Sequence, residues 1–292
     1  MEKALGIDIG GTKISYAIID KNGQIVSEIK KTSTPKSADE IYNALKDIIS
    51  GFENEVDFVA LATAGAVNNE NSKVIGSTGN LPKGYREIDF SSLSKKKVFL
   101  ENDANAAAWA EYKIGASKGY QNSIMLTFGT GVGGGIIVNG QLLKGKSGAA
   151  GEVHFIMSRT PKRACTCGNY DCFEAYASGN GLKKTAIELT KEENITTYDI
   201  IQRANDGDKK MIEALEIWQN DIKLGILSLN NIFDSDCFIL SGSMEQFLNS
   251  QEIEDFVNEH TLTQKTKVYH AKTGNFAGMI GAALLGFEKN LT

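Results

Sequence analysis

The chain has 292 residues, with 31 Lys and Arg against 36 Asp and Glu, so its formal net charge is −5. This length exceeds one compact core and predicts two lobes, and the acidic charge argues against a nucleic-acid partner. No stretch is apolar over the roughly 18 residues of a membrane span, and the start lacks a signal-peptide pattern. We therefore expect a cytoplasmic protein without a membrane partner.

In chain order, the first elements form a strand, turn, strand unit that occurs twice. Its first copy has predicted strands at residues 4–8 and 14–19 around a glycine turn at 10–12, and an Asn-Gly turn leads to a third strand from residue 24. The second copy has its five parts at residues 123–128, 129–135, 136–138, 139–140 and 141–143. The duplication predicts two related lobes with a cleft between them.

Helices and buried strands account for the remaining periodic segments. The predicted helices cover residues 38–50, 104–113, 208–229 and a last segment from 274, and the predicted strands cover 56–62, 98–101 and 237–240. Asn102 and Asp103 stand at the head of the second helix, where either side chain could cap it. A plain helix cap is therefore one interpretation of Asp103.

The second glycine loop, residues 129–135, fits the dinucleotide-binding pattern G-x-G-x-x-G. A strand and an Asn-Gly turn follow it where that pattern needs a helix, so we reject a Rossmann interpretation. Glycine-rich turns let successive backbone N–H groups face an anion, and the matched pair predicts binding of nucleotide phosphates. Thr12 and Thr130 would add hydroxyl donors. The alternative is that each turn only reverses a strand.

Four ordered motifs resemble the ROK family of sugar kinases and repressors. The motifs are Asp8-Ile9-Gly10-Gly11-Thr12-Lys13, Glu101-Asn102-Asp103-Ala104-Asn105-Ala106-Ala107, Gly129-Thr130-Gly131-Val132-Gly133-Gly134-Gly135 and Cys165-x-Cys167-Gly168-x-x-x-Cys172-x-Glu174. The resemblance implies an α/β, actin-like ATPase (ribonuclease H-like) duplicated fold with ATP in the interlobe cleft. We expect an N-terminal lobe at 1–115, with helix 274–292 packing back on it, and a C-terminal lobe at 116–273 that contains the cysteine segment 152–174.

The resemblance favours a kinase over a repressor. The family's repressors carry a DNA-binding domain before the first glycine turn, whereas seven residues precede Asp8. Residues 102–111, 174–179 and 277–283 look most like bacterial N-acetylmannosamine kinases, which implies phosphorylation of that sugar's 6-hydroxyl by MgATP in sialic acid catabolism. Glucokinase, N-acetylglucosamine kinase, fructokinase and a catalytically silent sugar sensor stay open as alternatives. The family is commonly dimeric, which implies a homodimer.

The resemblance also assigns roles to individual residues. Asp103 is the expected base, which accepts the proton of the sugar hydroxyl. The expected sugar contacts are Gly65, Asn80, Asn102, Asp103, Glu152, His154 and Glu174. The expected nucleotide contacts are Asp8, Gly10, Gly11, Thr12, Lys13, Thr130, Gly131 and Gly242, with Mg²⁺ held at Asp8 through water.

Three of the four cysteines, Cys165, Cys167 and Cys172, crowd into eight residues, which suggests a metal more than a disulfide framework. Zinc needs a fourth ligand, and His154 is the nearby histidine. The family's ligand histidine aligns with Phe155, so His154 stands one residue early, and Asp171 replaces the family's glycine. Two interpretations therefore stay open: a structural zinc site held by Cys165, Cys167, Cys172 and His154, and three reduced cysteines without metal. Cys237 is predicted to be a buried core residue.

Overall fold

The structure, a computed structural model, describes residues 2–76, 81–155, 157 and 163–290. By packing, the chain divides into two compact units. Unit 1 consists of Met1–Gln121, Gly135–Gly151 and Ala271–Thr292, and unit 2 consists of Asn122–Gly134 and Glu152–His270. The predicted domain boundaries at 115 and 273 stay a prediction.

Strands dominate the start of the chain, and helices dominate its second half. The strands are β1 (Lys3–Ile9), β2 (Lys13–Asp20), β3 (Lys30–Ser33), β4 (Phe58–Thr63), β5 (Ala66–Val67), β6 (Val74–Gly76), β7 (Val98–Asn102), β8 (Ser123–Phe128), β9 (Val132–Val138), β10 (Gln141–Leu142), β11 (Cys237–Ser241) and β12 (Lys267–His270). The helices are α1 (Ala38–Ser50), α2 (Asp103–Ile114), α3 (Glu174–Ala177), α4 (Gly179–Thr190), α5 (Thr197–Asn205), α6 (Lys209–Phe233), α7 (Ser250–His260) and α8 (Ala277–Asn290).

The main sheet of unit 1 has the strand order β3-β2-β1-β4-β7. Strand β1 is antiparallel to β2 and parallel to β4, which is in turn parallel to β7. Because parallel strands end at the same edge, Ile9, Thr63 and Asn102 lie in register across the sheet. This register brings Asp8 and Asp103 to one edge of unit 1.

Helix α8 packs on the sheet of unit 1 and on α2 at positions that lack side chains. A Cβ atom at Gly281 would overlap the carbonyl oxygen of Ala106, and one at Gly6 would lie 2.7 Å from Met279 Cγ. The same close approach occurs at Gly135, where a Cβ would lie 2.8 Å from the carbonyl oxygen of Ala104. Helix α2 is therefore held by backbone contacts on two sides.

Unit 2 is built on the parallel strands β8, β11 and β12, which belong to a sheet of order β10-β9-β8-β11-β12. The boundary between the two units falls within β9, between Gly134 and Gly135. Helix α6 is the longest described helix and buries Trp218, whose indole N–H donates to Ala177 O at 2.8 Å. Cys237 is fully buried in β11, as predicted.

Two predicted elements differ from the structure. The third strand begins at Lys30 rather than at residue 24, because the Asn-Gly turn is followed only by an isolated bridge between Ile19 and Ile25. Strand β9 begins at Val132, so Gly133, Gly134 and Gly135 are strand residues and the predicted seven-residue loop is a three-residue turn. Within the described residues, no helix combines the length and apolar composition needed to cross a bilayer.

Candidate active site

Two carboxylates stand at the same edge of the unit 1 sheet. Asp8 is the second-to-last residue of β1 and is half-buried, whereas Asp103 is the first residue of α2, directly after β7, and is exposed. Burial and then the negative charge of Asp103 raise the pKa of Asp8 to about 6, while Lys13 lowers it. The negative charge of Asp103 therefore acts on the Asp8 carboxylate at this edge of the sheet.

Asn102, not Asp103, caps α2. Its Oδ1 accepts the N–H of Asn105 at 3.0 Å, and its Nδ2 donates to Gly65 O at 3.1 Å. The interpretation of Asp103 as the cap is therefore wrong. Asp103 is the first residue of the helix, where the positive end of the helix dipole favours a carboxylate, and its Oδ1 accepts the N–H of Ala104 at 2.8 Å.

Gly65 occupies a position that only glycine fits easily. Its φ is +92°, and a Cβ there would lie 2.7 Å from the carbonyl oxygen of Gly76. The backbone of Gly65 is thereby fixed beside Asn102, and both predicted sugar contacts lie together in unit 1. The remaining predicted contact from this part of the chain, Asn80, lies outside the described residues.

The first glycine turn connects β1 to β2. The N–H of Gly10 donates to Lys13 O at 3.0 Å, and Thr34 donates through its hydroxyl to Gly10 O at 2.6 Å and through its N–H to Thr12 O at 3.1 Å. Gly11, Thr12 and Lys13 are exposed. The turn therefore presents a hydroxyl and an ammonium group next to Asp8.

The second glycine turn, in unit 2, has a matching closure. The N–H of Gly129 donates to Gly131 O at 3.0 Å, and the N–H of Gly179 at the start of α4 donates to Gly129 O at 2.8 Å. Gly242 has a φ of +88°, and a Cβ there would overlap the carbonyl oxygen of Phe128, just before the turn. Three of the predicted nucleotide contacts, Thr130, Gly131 and Gly242, thus lie at or beside one turn.

Glu174 joins this turn to the cysteine segment. Its Oε2 accepts the N–H of Val132 at 3.1 Å, and its Oε1 accepts the hydroxyl of Thr166 at 2.6 Å. Nε2 of His154 lies 3.9 Å from Glu174 Oε2 and 3.8 Å from Glu152 Oε2. The structure therefore brings the three predicted sugar contacts of unit 2 together. Thr166 escaped the sequence analysis because nothing in its local sequence marks it.

Possible metal-ligand atoms of His154, Cys165 and Cys167 all lie within 4.8 Å of one another, and Cys172 lies beside this group through its contact with Cys167. Sγ of Cys167 lies 3.4 Å from Sγ of Cys172, and Sγ of Cys165 lies 3.8 Å from Nδ1 of His154. Around a tetrahedral zinc ion with 2.3 Å bonds to sulfur, neighbouring ligand atoms are about 3.8 Å apart. Two thiols and an imidazole therefore lie close enough together to hold a metal ion such as zinc, with Cys172 next to Cys167 as the candidate fourth ligand.

The thiol of Cys167 favours its ionised, metal-binding form. Burial raises its pKa, but hydrogen bonds from the Asn169 N–H and from neighbouring thiol and imidazole groups outweigh burial and lower the pKa to about 6. Phe155, which aligns with the family's histidine, stacks on Phe173 with ring centroids 4.8 Å apart. His154 rather than Phe155 thus faces the cysteines.

Asp171, which stands where the family has glycine, adopts a backbone conformation that glycine also favours. Its φ is +57°, a left-handed conformation that aspartate tolerates better than most residues. Its Oδ1 accepts the N–H of Arg163 at 2.8 Å and the hydroxyl of Tyr176 at 2.6 Å. The guanidinium group of Arg163 in turn bonds both oxygens of Glu188, at 2.9 and 2.6 Å. Hydrogen bonds within the protein therefore order the segment around the cysteines.

A groove of about 270 Å³ runs along the surface of unit 2 beside these residues. Its walls include Thr130, Cys165, Thr166, Glu174, Asn180 and Lys183. A glycine-turn residue and the Glu174 carboxylate therefore face one surface, together with an ammonium group on α4.

The ROK family model matches residues 4–289 of the chain. The chain belongs to the ROK family. A glucokinase from Streptomyces coelicolor is 32% identical over 99% of this chain and 98% of its own length. An N-acetylmannosamine kinase from Haemophilus influenzae is 31% identical over 96% of this chain and 94% of its own. The crystal structure of a ROK family glucokinase from Streptomyces griseus, in complex with glucose and AMPPNP, has a TM-score of 0.77 and 29% identity, covering 97% of this chain and 98% of that one. The motif-based resemblance and the actin-like ATPase fold are confirmed, whereas the predicted homodimer stays a prediction.

Proposed function

We propose that this ROK family member, an ATP-dependent sugar kinase, transfers the γ-phosphoryl group of MgATP to the 6-hydroxyl of N-acetylmannosamine. The observation that carries the proposal is the position of Asp103, an exposed carboxylate at the first turn of α2 whose capping role Asn102 fills. A hydroxyl that attacks a phosphoryl group must lose its proton, and a carboxylate within hydrogen-bond reach can accept it. Asp103 is exposed, and it follows Asn102, which is held against Gly65, so both observations support that role.

The proposed sugar contacts form two sets, each assembled within one unit. In unit 1 they are Gly65, Asn102 and Asp103. The amide of Asn102 has two N–H groups, of which one bonds Gly65 O, so the second is assigned to a sugar hydroxyl. In unit 2 they are Glu152, His154 and Glu174, whose carboxylate and imidazole groups suit the hydroxyls of a hexose. Asn80 completes the proposed set.

The proposed nucleotide contacts are the two glycine turns with Thr12, Lys13 and Thr130. Their N–H, hydroxyl and ammonium donors suit phosphate oxygens. Mg²⁺ that arrives with ATP would neutralise phosphate charge, and the carboxylate of Asp8 supplies the hard oxygen donors that this ion prefers, here through water. Burial alone disfavours the charged form of Asp8, and a cation beside it would favour that form. Gly242, which packs against the backbone of Phe128, is proposed to lie beside the adenosine.

A structural zinc ion is also proposed, held by His154, Cys165, Cys167 and Cys172. All four positions of the tetrahedron would be protein atoms, which is typical of structural rather than catalytic sites. Metal analysis of the purified protein by mass spectrometry is expected to find one zinc per chain, and Cys167→Ser is expected to lose it. A metal-free wild-type protein would contradict the zinc proposal and leave the kinase proposal intact.

N-acetylmannosamine is proposed over glucose on the resemblance of residues 102–111, 174–179 and 277–283 and on the similarity to the Haemophilus influenzae enzyme. Glucose is the second candidate, because a glucokinase is 32% identical over 99% of this chain. A coupled assay of ADP release with N-acetylmannosamine, glucose, N-acetylglucosamine and fructose tests the choice. A kcat/KM for glucose above that for N-acetylmannosamine would overturn the assignment, and any turnover excludes a silent sensor.

Asp103→Asn tests the proposed base. We expect kcat to fall by at least about a hundredfold, the loss of a general base, while circular dichroism and thermal unfolding stay close to the wild type because Asn102 still caps α2. Asp39→Asn is the matched control, since Asp39 is also an exposed aspartate in the first turn of a helix, α1. Its turnover should be unchanged. Normal turnover by Asp103→Asn would remove Asp103 from the chemistry.

A further inference from the structure

We propose that Glu101, paired with Lys144, is a positioning residue that fixes the junction between β7 and α2, and through it Asn102 and Asp103. Glu101 is only 3% exposed, and both of its carboxylate oxygens lie within hydrogen-bond distance of Lys144 Nζ, at 2.8 and 2.7 Å. The proposal rests on the proposed function, in which Asp103 is the base.

The Glu101 carboxylate acts directly on the first turn of α2. Its Oε1 accepts the N–H of Asn102 at 2.9 Å and the Nδ2 group of Asn105 at 3.4 Å. Asn102 is the helix cap, and Asp103 follows it. A rotation of the Glu101 side chain would therefore release the residue that sets where α2 begins.

Asn71 holds the same carboxylate from the other side. Its Nδ2 donates to Glu101 Oε2 and to Leu100 O, both at 2.8 Å, and its own carbonyl oxygen accepts the N–H of Leu100 at 2.7 Å. Asn71 is 3% exposed and has a left-handed φ of +57°. Its Oδ1 accepts a hydrogen bond from Lys289 on α8. The loop between β5 and β6 therefore clamps the last residues of β7.

Lys144 is itself held in place by its own segment. Its Nζ lies 3.5 Å from Val67 O, and its side chain is 16% exposed. Four residues later, a Cβ at Gly148 would overlap the carbonyl oxygen of Val67, so this segment runs directly against β5. The ammonium group thus approaches Glu101 from a backbone with little freedom to move.

A buried ion pair of this kind contributes little net stability but fixes geometry. The cost of removing both charges from water largely offsets their attraction, whereas removal of one partner leaves the other charge buried and unpaired and destabilises the fold. Catalysis is far more sensitive, because a displacement of about 1 Å in a catalytic group can cost about a hundredfold in rate. Loss of Lys144 is therefore expected to lower both folding stability and, in the folded enzyme, kcat, with much smaller changes in the KM values.

Lys144→Met tests the proposal, assayed with the sugar that the wild type turns over fastest. We expect kcat to fall by about tenfold or more, with the KM values for ATP and sugar within about threefold of wild type. Lys144→Arg, which restores the charge, should recover kcat to within about threefold. Asn71→Gly, which keeps the left-handed φ and removes the amide, should lower kcat by about threefold or more. If Lys144→Met fails to fold, Asn71→Gly tests the proposal in its place.

Glu111→Gln is the matched control for a merely structural effect. Glu111 is also a buried carboxylate on α2, but it lies in the last turn, at the opposite end of the helix from Asp103. Its Oε1 accepts the N–H groups of Lys272 and Thr273 at 2.8 and 2.6 Å. It should lower the unfolding temperature and leave kcat within about twofold.

Two results would overturn the positioning role: an unchanged kcat in Lys144→Met and Asn71→Gly, or an equal loss of kcat in Glu111→Gln at equal loss of stability. Asp103→Asn is assayed alongside. If that variant turns over normally, the proposed base fails, while the kcat and KM pattern of the Lys144 variants still decides whether the junction is a positioning device.

Discussion

Asp8→Asn is expected to make the protein more stable at neutral pH and to remove its activity. Burial, followed by the charge of Asp103, raises the pKa of Asp8 from 3.8 to about 6. A difference of about two pKa units between folded and unfolded chains corresponds to about 3 kcal/mol. Between pH 4 and 6 the folded protein holds a proton that the unfolded chain has released, so its free energy of unfolding falls as the pH rises through this window. Above pH 6 the ionised Asp8 lowers the free energy of unfolding by the full amount of about 3 kcal/mol.

Urea unfolding at pH 4 and pH 8, without nucleotide or Mg²⁺, measures this cost. Asparagine has nearly the same shape and no charge, so at pH 8 the variant should be more stable than the wild type by about 1 to 3 kcal/mol. At pH 4 the difference should nearly vanish, because Asp8 is protonated in the folded wild type. Turnover should fall by at least about a hundredfold, because the proposed anchor of Mg²⁺ is lost.

Asp20→Asn is the control, because Asp20 closes β2 and accepts the N–H groups of Asn22 and Gln24, both at 2.9 Å. It should show no gain in stability. The reasoning fails if Asp8→Asn is no more stable than the wild type at pH 8, or if its gain is the same at both pH values. Asp103→Asn should give a smaller gain than Asp8→Asn, since burial is the larger cause of the shift.

Three further changes probe unit 2. Asp171→Gly should lower the free energy of unfolding, measured by urea, by about 2 to 4 kcal/mol, because Arg163 N–H and the Tyr176 hydroxyl lose their acceptor. Asp171→Ala should lower it by about 1 kcal/mol more, because alanine disfavours the left-handed φ of this position. Gly131→Ala should raise the KM for sugar, because its Cβ would overlap Glu174 Oε2, and steady-state kinetics with unchanged KM would contradict the role of Glu174. Thr166→Val should raise the same KM and Thr166→Ser restore it, since only the hydroxyl bonds Glu174; equal KM values for both would exclude Thr166 as its positioning group.

The sequence predicts the bounds of an element well where nearby residues end it, as a helix cap does. Helix α1 has the predicted bounds because Ser37 and Glu40 form a capping box just before and within its first turn. The start of strand β3 was predicted wrongly, because its residues Lys30–Ser33 are all exposed and form a strand only by pairing with β2. Its start depends on the partner strand and on no pattern of its own.

The candidate site divides in the same way. Motifs identified Asp8, Asp103 and the cysteine cluster, but sequence could not say which of Asn102 and Asp103 is the cap, because either residue type suits that position. Lys144 lies 43 residues from Glu101, and neither residue carries a signal of the other. Such contacts arise only when distant segments pack. The displaced histidine likewise reaches the cysteines because Phe155 packs on Phe173 instead.

The chain has 30 glycines, and two of them have a role outside the two glycine turns. Gly135 on β9 and Gly281 on α8 let backbone meet backbone on two sides of α2, so the first turns of the helix that begins at Asp103 are fixed from both sides. Laboratory evolution of a new sugar preference would therefore meet very uneven tolerance. Groove residues without a proposed role, such as Asn180 and Lys183, should accept exchange one at a time, whereas an added methyl group at either glycine would meet the backbone of α2 and displace Asp103.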